Sequence, residues 1–132
     1  MATEQKGLKD NEAKIQTMEL WGEFQVMMAE AMTVSKKGKY PPLNWTKVIN
    51  PYHLLQSIER HFLEVKQAMQ SCNSDILVDP TDHIDHLVKI ANNCSMLQYQ
   101  LQNHYPSSAS LKKALQEFID ESSQLSDSDS NS

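Results

Sequence analysis

Residues 79–97 read DPTDHIDHLVKIANNCSML, and the spacing of their apolar and polar positions decides the fold. Ile84, Leu87, Val88, Ala91, Cys94 and Leu97, continued by Leu101, recur at intervals of three and four. That is the period of one face of an α-helix. Asp79 ahead of Pro80 is a preferred cap-then-proline start, and Asp82 and Asp85 place negative charge where a helix dipole is positive. The pattern predicts a helix from Asp79 to Leu97. Beside the core stripe, His86, Ile90, Asn93 and Leu97 form a second line, so a histidine and an amide share a face with two aliphatic side chains. Polar groups at a core margin cost free energy unless they are partnered. The line therefore predicts a polar pocket between this helix and a neighbour.

The neighbour is legible upstream. Asn50-Pro51 repeats the cap-then-proline start, and a helix is predicted to run to Gln70 with Leu55, Ile58, Phe62, Val65 and Met69 as its buried face. His61 stands with Leu54, Ile58, Val65 and Ala68 at helical spacings and borders that face. Before it, Ser35–Val48 holds Gly38 and the Pro41-Pro42 pair and cannot continue a helix. Long connections of this kind often carry function. Trp45 and Lys47 are its notable members, an indole able to stack on a nucleobase and an ammonium able to meet a phosphate.

A first helix is expected from about Glu12 to Val34 on the stripe Ala13, Thr17, Leu20, Phe24, Met27 and Ala31, with Glu19, Glu23 and Glu30 beside it, either solvated or turned towards a site. A fourth begins near Ser108, with Leu111, Ala114, Leu115, Phe118 and Ile119 on its apolar side. Residues 122–132, ESSQLSDSDSNS from Glu121 onward, are acidic and serine-rich and read as a disordered tail; residues 1–10 read as a flexible lead-in. The expectation is all-α: one four-helix bundle-like domain over residues 11–121.

Composition narrows the function. The formal net charge of −5 offers no broad basic surface for a nucleic-acid backbone. Cys72 and Cys94 make neither a disulfide framework nor a paired zinc spacing. Residues 1–14 lack the apolar segment of a signal peptide, and no run is long enough to span a bilayer, so the expected location is the cytoplasm with no membrane partner. A small bundle with a long loop and a tail has little core of its own, so a homo-oligomer is expected.

Asp82, Asp85 and His86 stand at i, i+3 and i+4, within reach of one metal ion, and Glu59 on the preceding helix can complete a carboxylate and imidazole site between helices. No GxSxG, glycine-rich phosphate loop or HExxH is present. Covalent catalysis has no support.

Asn44-Trp45 with Lys47, then Tyr52, Leu55 and Arg60-His61, then Asp79-Pro80, His86-Leu87, Ala91, Asn93 and Leu97 resemble a phage-encoded family over residues 44 to 97. Its members carry an NW-x-K segment, an RH pair on one helix and a DPxxGxxHLxHAxxNxxFL-like segment on the next. The family is the dATP/dGTP diphosphohydrolase N-terminal domain. The resemblance implies cleavage of a deoxypurine triphosphate to monophosphate and pyrophosphate, in a host cytoplasm if phage-encoded. It singles out Trp45, Arg60, His61, Asp79, His86 and Asn93. The chain departs from the pattern at His83, where the family has glycine, and at Lys89, where it has a further histidine.

The implied activity is also similar to that of MazG-like all-α nucleotide pyrophosphatases, whose ExxE and ExxD pairs hold Mg²⁺; those pairs are not present as such. In this reading Mg²⁺ or Mn²⁺ is held by Glu59, Asp82 and Asp85 with His86, Arg60 and Lys47 neutralise phosphate charge, and His61 or His86 orients or deprotonates water. Two other readings stay open. One is a non-catalytic protein that sequesters a nucleotide, including a cyclic signalling nucleotide of host defence; the other is a helical adaptor whose polar interior fixes register.

Overall fold

The computed structural model describes residues 20–36 and 43–130, with backbone alone at 34–36 and 125–130. Among these residues four helices follow in order: α1 (Gly22–Lys36), α2 (Pro51–Gln70), α3 (His86–Asn103) and α4 (Ser108–Ser130). Single 3₁₀ turns at Asn44–Thr46 and Ser74–Leu77 interrupt the connections. No strand occurs among the described residues, and Val78 with Asp85 forms an isolated antiparallel bridge. The chain is all-α. The α2–α3 pair is the centre of the molecule, with α1 packed on α3 and α4 on α2. The expected beginning of the first helix, with Ala13, Thr17 and Glu19, and the expected lead-in at residues 1–10 lie outside the described residues. The α4 backbone continues into the stretch read as a tail, whose residues 125–132 have no described side chains.

Helix α2 begins and ends where its sequence says it should. The Asn50 carboxamide oxygen accepts from the Tyr52 backbone N–H at 3.0 Å, satisfying one of the open donors of the first turn. Its amide nitrogen donates to the Ala114 carbonyl at 2.9 Å, so the same cap ties α2 to α4. At the other end Cys72 takes φ 50°, and the Asn73 and Cys72 N–H groups return to the carbonyls of Ala68 and Met69. This is a Schellman ending in which cysteine fills the left-handed position that glycine usually takes.

The buried face of α2 keeps Val65 of the expected one and is otherwise rotated. Pro51, Leu54, His61, Val65 and Ala68 are buried, whereas Leu55, Phe62 and Met69 face outward, Phe62 at 57% and Met69 at 72% exposure. Both stripes have helical spacing, and the apolar one carries more hydrophobic bulk. The polar one won because His61 finds a partner inside. In α3 the same happens: Val88, Asn92 and Gln100 are buried, while Leu87 and Cys94 are exposed.

The largest correction concerns where α3 starts. Residues 79–84 form a closed loop, not a helical turn. The Asp79 carboxylate accepts from the Thr81 N–H at 2.9 Å and the Thr81 hydroxyl at 2.7 Å, and Asp82 accepts from the Ile84 N–H. Two such turns use up the aspartates that sequence assigns to a helix start, and they compete directly with helix formation. The Asp79 N–H donates to the Ile84 carbonyl and closes the loop, which needs φ 60° at His83. Asp85 is then the extended residue before the helix.

A β-carbon makes the left-handed region costly, by roughly 1–2 kcal/mol for most residues. Glycine would remove that strain while adding about 0.5–1 kcal/mol of unfolded-state entropy. We expect His83→Gly to stabilise the protein by about 0.5–1 kcal/mol, read as a higher denaturant midpoint at unchanged slope. A lower midpoint would show that the His83 side chain contributes more than its backbone costs.

Candidate functional site

A polar contact lies between the two helices, where a histidine from each side meets the other. Nδ1 of His61, on α2, lies 2.9 Å from Nδ1 of His86, the first residue of α3. At this distance an Nδ1–H of one ring donates to the bare Nδ1 of the other. Both are buried. Asp79 comes from the loop ahead of α3, and ligand atoms of His61, Asp79 and His86 all lie within 4.8 Å of one another. Two imidazoles and a carboxylate are a donor set that suits a divalent transition metal. Among the described residues no other group of three histidine, cysteine, aspartate or glutamate side chains converges in this way.

The carboxylate of the cluster is already paired with a cation. Lys89, one turn after His86, places its Nζ 2.7 Å from Asp79 Oδ2 and 2.5 Å from Asp82 Oδ2. Its side chain is 18% exposed, beside 16% for Asp79. Burial works against the ammonium charge, but the two carboxylates outweigh it and the net shift of the Lys89 pKa is upward. The bond to Lys89, helped by Thr81 and opposed by burial, holds the Asp79 carboxyl well below the usual carboxylate range.

Burial lowers the His61 pKa, and the positive charge of Lys89, the neighbouring His86 ring and Arg60 lower it further, with Asp79 opposing. A histidine whose folded pKa lies below its unfolded value of 6.5 contributes stability that is present above about pH 6.5 and is lost as pH falls through the folded value. Acidification from pH 7.5 to pH 5 is therefore expected to lower the melting temperature, and His61→Gln should flatten that dependence. Equal slopes in the two proteins would remove His61 from the explanation.

His61 and Lys89 also form part of the wall of a cavity of about 400 Å³ between α1, α2, α3 and the Asn44–Thr46 turn. The volume suits a nucleotide-sized ligand. Trp45, Met32, Met96, Leu54 and Ile49 give it an apolar lining, and Asn44, Asn92 and Asn93 bring three carboxamides to it. Trp45 is held edge-on against Tyr99, with ring centroids 5.0 Å apart. Asn93 donates to the Ser57 hydroxyl at 3.1 Å, and Asn92 to the Met28 carbonyl at 3.1 Å, which links α3 to α2 and α1.

The remaining sequence candidates are placed differently. Lys47 and Arg60 are exposed and do not line the cavity. Glu59 is exposed, Asp82 is engaged with Lys89, and Asp85 precedes the helix, so the three carboxylates expected to hold metal do not converge. The helix starting at His86 and not at Asp79 is the reason: Asp82 and Asp85 no longer share its face.

Gln100 was missed by sequence reasoning. It is fully buried, accepts from the Ile49 N–H at 3.0 Å, and donates to the carbonyls of Trp45 at 2.9 Å and Lys47 at 2.7 Å. One side chain thus fixes the whole Trp45 loop against α3. His104 adds a bond from Nε2 to the Thr46 carbonyl at 2.9 Å. The available signal was spacing, since Val88, Asn92, Met96 and Gln100 recur at intervals of four.

The site thus joins a His-Asp-His cluster that could hold a metal ion to a cavity of about 400 Å³ through His61, which belongs to both. The family model for dATP/dGTP diphosphohydrolase, N-terminal, matches residues 4–108, well over half of the chain. The chain belongs to that family, which suggests a related nucleotide hydrolase. The match extends beyond the segment of motif resemblance to include α1. No curated protein and no solved structure shows significant similarity to the chain. No described helix is long and apolar enough to cross a membrane.

Proposed function

We propose that this protein cleaves a deoxypurine nucleoside triphosphate to the monophosphate and pyrophosphate with a divalent metal. The observation that carries the reading is the convergence of His61, Asp79 and His86, of which His61 also lines the Trp45 cavity. A metal there supplies an electrophile for phosphate oxygens and an activated water. The imidazole donors favour Mn²⁺ over Mg²⁺, which prefers oxygen ligands. The reading puts the ion on His61, Asp79 and His86, and not on Glu59, Asp82 and Asp85.

The remaining residues bind and orient. The base enters the apolar end beside Trp45, Met32 and Met96, where the carboxamides of Asn44, Asn92 and Asn93 offer hydrogen bonds to its edge. The phosphates point towards His61 and Lys89, with Arg60 and Lys47 contributing positive charge from outside the cavity wall. A second reading, a protein that binds a nucleotide without cleaving it, is favoured by Lys89, which gives the cavity a cation that needs no metal.

A panel of dATP, dGTP, their ribonucleotides and cyclic nucleotides, with and without Mn²⁺ or Mg²⁺, separates the readings. Metal-dependent release of pyrophosphate supports the hydrolase. Strong thermal stabilisation by a nucleotide recovered intact replaces it with the binder. No shift and no product with any nucleotide removes both and leaves the adaptor.

The proposal includes self-association. Leu55, Phe62 and Met69 repeat every seven residues along the outside of α2, with exposed Leu63 beside them. A solution mass at a multiple of 15.1 kDa is expected, with Phe62→Glu shifting it to the monomer. A monomeric wild-type protein would contradict this.

A further inference from the structure

The ammonium of Lys89 and any metal on the cluster need the same carboxylate. Lys89 Nζ is 2.7 Å from Asp79 Oδ2, and Asp79 is the only acidic member of the His61, Asp79 and His86 group. The two imidazoles bring no negative charge. All the anionic attraction that the cluster itself offers a dication therefore comes from Asp79, and Lys89 already neutralises it. Asp79 also has little freedom to serve both, because its Oδ1 is occupied by the Thr81 N–H and hydroxyl. Asp82 holds the ammonium from the other side, so Lys89 is anchored at two points.

We propose that Lys89 is a built-in cation that competes with the divalent metal for Asp79 and sets the affinity of the His61, Asp79 and His86 site. This rests on the reading that those three residues hold a metal. Binding requires the ammonium to retreat towards Asp82 or to pair with an anion entering the cavity that Lys89 lines. The intact protein is thereby a weak metal binder when empty. A phosphate-bearing ligand, by accepting Lys89, frees Asp79.

Co²⁺ titration of the full chain tests this without any activity measurement, because its visible bands report the coordination of the ion and their loss in His86→Ala assigns them to the imidazoles. Lys89→Met is expected to bind Co²⁺ at least about 10-fold tighter than wild type, a difference of about 1.4 kcal/mol. Lys89→Arg, which keeps the charge, should remain as weak as wild type. If Lys89→Met does not fold, Lys89→Gln removes the charge while keeping a hydrogen-bond donor for Asp79, and the same gain is expected. Equal or weaker binding by the folded neutral variant overturns the proposal, as does tighter binding by Lys89→Arg. A wild-type titration that His86→Ala abolishes, together with no gain in the neutral variants, overturns only the role of Lys89. Absence of imidazole-ligated Co²⁺ in wild type and neutral variants alike overturns the metal site as well.

Discussion

Turnover of a deoxypurine triphosphate by His86→Ala is expected to fall by at least about 10²-fold, the range for loss of a group that acts directly on the reaction. The ring is buried and supplies one of the two imidazoles of the cluster. Its loss also strands Nδ1 of His61, which has its bond to His86 at 2.9 Å. An unpartnered buried polar group costs about 1–3 kcal/mol, so the melting temperature should fall by several degrees while helical content is retained. Loss of activity and loss of metal affinity should coincide in this variant. Wild-type turnover by a folded His86→Ala protein would take the residue out of the site.

Gln100→Leu should produce the largest loss of stability. The substitution keeps the volume but leaves the Ile49 N–H and the carbonyls of Trp45 and Lys47 without their buried partner. Leucine cannot replace any of these bonds. A cost of about 3 kcal/mol is expected, or roughly 10 °C in melting temperature for a domain of this size. Function should suffer separately. Trp45 sits on the segment that Gln100 holds, so nucleotide affinity should weaken even at temperatures where the variant is folded. A Gln100→Leu protein with wild-type affinity would show that the Trp45 loop is fixed by Tyr99 and His104 alone.

Much of this arrangement was legible in the amino-acid sequence, and the failures share a cause. Cap and proline signals located α2 correctly because Asn50 does what a cap does, accepting from the Tyr52 N–H. The same cap-then-proline signal misplaced the start of α3, because Asp79 caps Thr81 within a closed loop instead of a helix. Local chemistry at an aspartate does not distinguish the two outcomes; the antiparallel bridge from Val78 to Asp85, which closes the loop around it, does. The histidines were found from their place beside the apolar faces. Asp79 was singled out by the family resemblance alone, and its place beside both histidines was not legible, since it reaches them only through the loop geometry. Buried faces were rotated for a related reason. Hydrophobic bulk pointed to Leu55, Phe62 and Met69, whereas the core selected the line whose polar members, His61 and Gln100, find partners across the interface. Hydropathy cannot see such pairing.

The most direct test of the metal and nucleotide site is an anomalous difference map from crystals grown with Mn²⁺ and a non-hydrolysable deoxyguanosine triphosphate analogue. The account predicts one strong peak bonded to imidazole nitrogens of His61 and His86 and a carboxylate oxygen of Asp79, with the base in the Trp45 cavity and Lys89 turned to the phosphates. A peak held instead by Glu59, Asp82 and Asp85, or nucleotide bound outside the Trp45 cavity, would contradict it.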